Sequence, residues 1–109
     1  MIYLDNAATS YPKPQSVINA VKNSMVMYGA NPGRSGHDFS VKSAGAVFEA
    51  RELLNTFFNG WGSEFVSFTS NCTQALNTAL KGVLKKGDHV VVSTLEHNSV
   101  MRPLNTLSE

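Results

Sequence analysis

The spacing of apolar residues predicts four helices along the chain. Apolar side chains three to four positions apart mark an amphipathic helix over residues 15–28. A longer apolar face predicts a second helix, with Ser40 as its N-cap and the Asn-Gly pair at 59–60 as its stop signal. The same spacing predicts a third helix over 75–83, and a fourth is expected to begin near residue 99.

Two further segments have the pattern of β-strands. Residues 64–69 alternate between apolar and polar side chains, and residues 89–93 form a β-branched run typical of a strand buried on both faces. A short apolar run at 2–4 is another candidate strand. Because a helix lies between the two main segments, they predict a right-handed crossover in a parallel sheet. The expected fold class is therefore α/β, with a mostly parallel sheet flanked by helices.

Composition narrows the class of protein without indicating its chemistry. Nine Lys+Arg against eight Asp+Glu give a net charge of +1, which does not indicate an electrostatic nucleic-acid binder. A single cysteine excludes an intrachain disulfide framework and fits a reducing compartment. No apolar run approaches the roughly 20 residues of a membrane span. We therefore expect a soluble, cytoplasmic, globular chain with no nucleic-acid or membrane partner.

Two loops are candidates for a ligand site, because both follow predicted strands and would lie at one edge of a parallel sheet. The loop at 70–73 enters a helix, where free N–H groups and the Thr73 hydroxyl favour an anion such as a phosphate. The alternative is a helix cap by Ser70, Asn71 or Thr73 without a ligand. Cys72 in this loop is either a nucleophile or a small packed residue whose backbone N–H matters more than its sulfur.

The loop at 94–98 contains His97, which can stack on a ring, transfer a proton or bind a metal. The alternative for His97, and for His37 in the glycine-rich loop at 29–37, is a surface or capping histidine. The three histidines lack the spacing of metal ligands, so no metal site is expected. Trp61 and the phenylalanines before it are interpreted as packing residues.

Four motifs in order resemble the class V aminotransferase-type enzymes that use pyridoxal phosphate. They are YLDNAAT at 3–9, NPGRSGH at 31–37, FTSNCTQALN at 68–77, and GDHVV at 87–91 followed by EHNSV at 96–100. Their order and spacing are similar to the cysteine desulfurase and selenocysteine lyase branch over all 109 residues. The chain differs from the family's usual pattern at Gln74, where Glu is usual, and at Asn71, where Gly is frequent.

The resemblance implies the N-terminal part of a fold-type-I transferase with pyridoxal phosphate as its cofactor. The backbone at Cys72 and Thr73, with the Thr73 hydroxyl, would hold the cofactor phosphate. His97 would stack on the pyridine ring and assist proton transfer. Five residues would lie on the substrate side, two of them in a loop near a dimer interface: Asn6, Ala7, Ala8, Arg34 and His37.

The resemblance also implies an activity for the whole enzyme, which would move sulfur from L-cysteine to an enzyme cysteine as a persulfide and release L-alanine. A homodimer and a sulfur-acceptor protein are further expectations. Selenocysteine lysis, another class V reaction and a catalytically silent self-associating module remain alternatives. The family's cofactor lysine and persulfide cysteine match no residue here, so we expect an N-terminal portion that is inactive alone. Residues 1–30 would form its N-terminal segment and helix, and 31–109 would begin the large cofactor-binding domain.

Overall fold

The computed structural model describes residues 2–34 and 36–108. These residues form four α-helices: α1 (Gln15–Met27), α2 (Asp38–Phe57), α3 (Cys72–Val83) and α4 (Asn98–Ser108). A short 3₁₀ turn at Ser63–Phe65 follows α2. The chain divides into two compact units, Met1–Val66 and Ser67–Glu109. All four predicted helices are confirmed, which shows that local signals were sufficient to locate them.

In the first unit, α1 begins after Pro14, whose carbonyl accepts hydrogen bonds from the Val17 and Ile18 amides at 3.0 and 3.2 Å. The apolar face of α1 remains largely exposed, at 47% for Val17 and 75% for Met25. The helix ends where the Tyr28 amide donates to the Ser24 carbonyl. The prediction for this helix is thus confirmed to within one residue, although its apolar face has no partner among the described residues.

The start of α2 differs from the prediction. Its N-cap is His37, whose Nδ1 accepts the Ser40 amide at 3.2 Å, so Ser40 lies inside the first turn. The Ser40 hydroxyl instead donates to the Asn31 carbonyl at 3.0 Å, and Ser40 is only 1% exposed. The predicted N-cap was therefore wrong, because a nearby carbonyl nine residues earlier takes the serine hydroxyl.

The end of α2 follows the prediction. Asn59 adopts a positive φ of 51°, a conformation that asparagine tolerates better than most residues. The Gly60 amide then donates to the Asn55 carbonyl at 2.8 Å, and the Asn55 side chain accepts the Gly62 amide at 2.9 Å. The Asn-Gly stop signal is confirmed, and Asn55 holds the segment after α2 through its two hydrogen bonds.

The predicted fold class, α/β with a mostly parallel sheet, is wrong for the described residues, which contain no strand. The predicted strands at 64–69 and 89–93 exchange no backbone hydrogen bond, and residues 64 and 65 belong to the 3₁₀ turn. The run at 2–4 is not a strand either. Val91, expected to be buried on both faces, is 86% exposed. A strand needs a partner for its N–H and C=O groups, and a parallel sheet needs cover on both faces. Nothing in the described part of the chain supplies either.

No apolar side chain on the described Val, Leu, Ile, Met, Phe, Tyr or Trp residues is buried. The buried polar residues are three serines: Ser40, Ser43 and Ser99. Trp61 is 93% exposed and meets the Phe65 ring edge to face, so its predicted packing role is wrong. Both units are therefore held by helical hydrogen bonds and short polar links, and a hydrophobic core contributes little.

Candidate functional site

The first helix of the second unit, α3, begins with a reciprocal cap. The Asn71 side chain accepts the Gln74 amide at 2.8 Å. In return the Gln74 carbonyl oxygen Oε1 accepts the Ser70 amide at 3.1 Å and the Ser70 hydroxyl at 2.6 Å. This arrangement resembles a capping box, with Gln74 in the position that Glu or Gln usually takes. The predicted cap by Asn71 is confirmed, and Gln74 supplies its acceptor as an uncharged amide.

Two backbone amides remain open at this helix end. The N–H groups of Cys72 and Thr73 have no acceptor among the described residues, because the cap takes the amide of Gln74 and the Asn71 carbonyl takes that of Ala75. The Thr73 hydroxyl is also without a partner in the same part of the chain. Free amides at the positive end of a helix dipole favour an anion. Cys72 is exposed, so the interpretation of its thiol as a packed side chain is wrong.

His97 stands at the start of α4. Its Nδ1 accepts the Ser99 amide at 3.1 Å and lies 2.8 Å from the Ser99 hydroxyl. Its carbonyl accepts the amides of Val100 and Met101. A ring nitrogen that accepts an N–H carries no proton, so the neutral imidazole holds its proton on Nε2. The capping alternative for His97 is confirmed, and the cap leaves Nε2 free for other chemistry.

Asn77 joins α3 to α4. Its side-chain nitrogen Nδ2 donates to the Thr73 carbonyl at 3.0 Å and to the Ser99 carbonyl at 3.3 Å. The sequence placed Asn77 at the end of a motif without giving it a role. The available signal was its spacing, since a residue four positions after Thr73 lies on the same helix face.

A groove of about 520 Å³ lies along α3 and α4. Thr73 and His97 both line it, which brings together two of the residues selected from the sequence. The groove also contains the cationic side chains of Lys81 and Arg102, and its described lining includes no carboxylate. Its volume falls within the roughly 300–1,000 Å³ of ligand pockets. The remaining lining residues are Asn77, Asn98, Ser99, Pro103 and Thr106.

The residues predicted on the substrate side all belong to the first unit: Asn6, Ala7, Ala8, Arg34 and His37. The first three form an exposed turn, in which the Ala8 amide donates to the Asp5 carbonyl at 3.2 Å. Arg34 is exposed, and the side chain of His37 caps α2. Their roles toward a substrate stay predictions, as does the division of the whole protein at residues 30 and 31.

Within residues 2–34 and 36–108, no helix is long and apolar enough to cross a bilayer. The same residues hold no group of three or more His, Cys, Asp or Glu side chains that could bind a metal ion.

Comparison with known proteins gives one consistent result. The family model described as Aminotransferase class-V matches residues 2–109. A probable cysteine desulfurase of Borreliella burgdorferi is 39% identical over 94% of the chain and 25% of its own length. A probable cysteine desulfurase of Methanothermobacter thermautotrophicus is 37% identical over 99% of the chain and 27% of its own length. The cysteine desulfurase IscS 1 of Archaeoglobus fulgidus is 36% identical over 100% of the chain and 29% of its own length. The chain thus spans about a quarter of these relatives, and no solved structure matches it significantly.

Proposed function

The chain belongs to the class V aminotransferase family, and from this premise we propose that the protein carrying it is a pyridoxal phosphate-dependent cysteine desulfurase. The substrate would be L-cysteine, and the products would be L-alanine and sulfur held on an enzyme cysteine. Each relative named above is called a cysteine desulfurase or a probable one, which favours this activity over selenocysteine lysis. The observation that carries the proposal is the shared groove of Thr73 and His97.

The donor set at the start of α3 fits the phosphate of the cofactor. The open amides of Cys72 and Thr73 and the Thr73 hydroxyl supply three donors at the positive end of a helix dipole. Lys81 and Arg102 add positive charge along the groove, and no lining carboxylate of the described residues opposes it. Donors to a charged oxygen contribute roughly 1.5–3 kcal/mol each. This end of α3 would therefore anchor the cofactor by its phosphate.

His97 has the features needed beside the cofactor ring. Its imidazole is fixed by the Ser99 amide at Nδ1, so the ring plane is held in place. The free Nε2–H of the neutral ring would donate a hydrogen bond to the reacting amino acid and so assist its proton transfer. Pyridoxal phosphate, when bound, supplies an electron sink for the α-carbon of that amino acid.

The partners of the protein form part of the same proposal. Asn6, Ala7, Ala8, Arg34 and His37 would act on the substrate side, and two copies of the protein would form a homodimer. A sulfur-acceptor protein would remove the bound sulfur, and the cytoplasm would be the location. These proposals depend on the family and on the sequence motifs.

The test uses the protein at its full natural length, titrated with pyridoxal phosphate and followed by visible absorbance. Pyridoxal without its phosphate is the matched ligand, because it keeps the ring and lacks the group that α3 would bind. We expect pyridoxal phosphate to bind at least tenfold more tightly. With a thiol reductant added to reduce the enzyme persulfide, L-cysteine should then yield equal amounts of alanine and sulfide. Equal affinity for the two ligands would contradict the phosphate site, and binding without alanine formation would contradict the desulfurase activity.

A further inference from the structure

A continuous set of hydrogen bonds connects Thr73 to His97. The Asn77 side chain donates to the carbonyls of Thr73 and Ser99, at 3.0 and 3.3 Å. Ser99 in turn contacts His97 Nδ1 through its amide at 3.1 Å and its hydroxyl at 2.8 Å. Ser99 is only 7% exposed, so water reaches this junction poorly. The two residues that would contact the cofactor are thus linked through two residues with no assigned role.

A proline explains why the Ser99 carbonyl is available to Asn77. In an α-helix this carbonyl would accept the amide of the residue four positions later, which is Pro103. Proline has no N–H, so the carbonyl loses its partner inside α4. A carbonyl without a partner in a buried place is costly, and the Asn77 amide from α3 satisfies it. Pro103 therefore turns a bond within α4 into a bond between two helices.

We propose that Asn77 and Ser99 are positioning residues, which set the distance between the phosphate-binding end of α3 and the His97 ring and fix the proton of that ring on Nε2. This inference rests on the proposed function. A primary amide carries two donors in one plane, so Asn77 holds the carbonyls of both helices at a fixed separation. The Ser99 amide donates to Nδ1 and the Ser99 hydroxyl lies 2.8 Å from the same nitrogen, which disfavours the tautomer that protonates it.

The first experiment compares Asn77→Ala with Asn105→Ala in the full-length protein. Asn105 is an exposed asparagine of α4 whose side chain makes no hydrogen bond within the described residues and does not line the groove. We expect Asn77→Ala to weaken pyridoxal phosphate binding by about three- to tenfold, as the loss of one or two neutral hydrogen bonds predicts. Asn105→Ala should leave it unchanged. Equal affinities in the two folded variants would overturn the role of Asn77.

The second experiment measures the ring nitrogens of His97 by NMR in protein labelled with ¹⁵N-histidine, with the resonances assigned by their loss in His97→Gln. We expect a protonated Nε2 and an unprotonated Nδ1 in the neutral ring of the parent protein. Ser99→Ala removes the hydroxyl beside Nδ1 and keeps the backbone amide, so the population with a proton on Nδ1 should rise by a small, measurable amount. An unchanged nitrogen spectrum in Ser99→Ala would refute control of the tautomer by the serine hydroxyl.

The third experiment is a double-mutant cycle between Asn77 and Pro103, followed by urea denaturation. Pro103→Ala returns an N–H to α4 that can pair with the Ser99 carbonyl. We therefore expect Asn77→Ala to lower the denaturation midpoint less in the Pro103→Ala background than in the parent. Identical losses in both backgrounds would show that Asn77 does not satisfy this carbonyl, and the inference would fall.

The three readouts separate this inference from the proposed function. If the parent protein binds no pyridoxal phosphate, the cofactor proposal fails and the affinity comparison is void. The nitrogen spectrum and the denaturation cycle then decide alone whether Asn77 and Ser99 position His97. If the parent binds the cofactor and all three readouts stay unmoved by the variants, the function stands and the positioning network is refuted.

Discussion

Each of the two units has a helix that is capped by a histidine, but the residues around the two histidines differ. His37 caps α2 in the first unit through its Nδ1, and His97 does the same for α4 in the second. His37 packs edge to face with Phe39, with ring centroids 6.4 Å apart. His97 lies on a groove with Thr73, Lys81 and Arg102. Both units thus use a histidine as a helix N-cap. The neighbouring residues determine whether the ring also lines a groove that could hold a ligand.

A second difference lies in what the buried serines connect. Ser43 of α2 donates to the Tyr28 carbonyl at 2.6 Å and to the Phe39 carbonyl at 3.0 Å. Its bonds hold a loop against the helix that follows. Ser99 of α4 contacts the His97 ring and receives Asn77 from another helix. Ser43 therefore has a structural role, whereas Ser99 lies between two candidate functional residues.

The largest expected effect concerns His97. His97→Ala should lower the rate of the chemical step by about 10²-fold or more, because the proton on Nε2 is lost. His97→Phe should keep most of the cofactor affinity through ring stacking, without restoring the rate. Single-turnover kinetics with L-cysteine measure both. The exposed His89, which lines neither the groove nor a helix start, is the control, and His89→Ala should behave as the parent. Parent-like rates in His97→Ala would show that His97 only caps α4.

The next effect concerns the anion-binding end of α3. Thr73→Ala should remove one hydrogen bond to a charged oxygen, which contributes roughly 1.5–3 kcal/mol. The dissociation constant for pyridoxal phosphate should rise by about one to two orders of magnitude. Thr78→Ala is the matched control, since Thr78 is an exposed threonine of the same helix outside the groove. Titration by absorbance gives both constants, and a common value for the two variants would contradict the phosphate assignment.

A smaller effect separates the Cys72 backbone from its thiol. Cys72→Pro removes the open amide, and proline is well tolerated at the first position of a helix. The extended Asn71 backbone, with φ −166° and ψ 168°, also suits a following proline. Cofactor affinity should fall by about one order of magnitude in Cys72→Pro, the lower end of the range for a donor to a charged oxygen. Cys72→Ala keeps the amide and should bind as the parent does. The reverse order of affinities would show that the sulfur matters and the amide does not.

The smallest effect tests the structural role of the first unit. Ser43→Ala removes one of the two donors to the Tyr28 carbonyl, the other being the Ala30 amide, and the free energy of unfolding should fall by about 1 kcal/mol. Cofactor affinity should stay constant. Ser16→Ala, at an exposed site in the first turn of α1, is the control for both measurements. Urea denaturation gives the stability, and a change in affinity with Ser43→Ala would show that the two serines differ less than proposed.

The sequence predicted individual residues of the candidate site but not the hydrogen bonds that link them. The motifs at 68–77 and 96–100 selected Thr73 and His97, and the structure places both on one groove. Asn77 was included in the first motif, yet its bond to Ser99 spans 22 residues and no local pattern indicates it. Pro103 inside the predicted fourth helix already indicates a free Ser99 carbonyl, but only the structure shows that Asn77 satisfies it.

The sequence by itself determined the four helices and the Asn-Gly end of α2, and it offered Ser70, Asn71 or Thr73 as the cap of α3. Each depends on groups within a few residues of one another, so spacing and residue type suffice. The tertiary structure decided the rest. It gave the α2 cap to His37 because the Ser40 hydroxyl bonds the Asn31 carbonyl, and it left residues 67–69 and 89–93 unpaired because a strand forms only with a partner. It also joined α3 to α4, because the carbonyl freed by Pro103 is satisfied by a side chain distant in sequence.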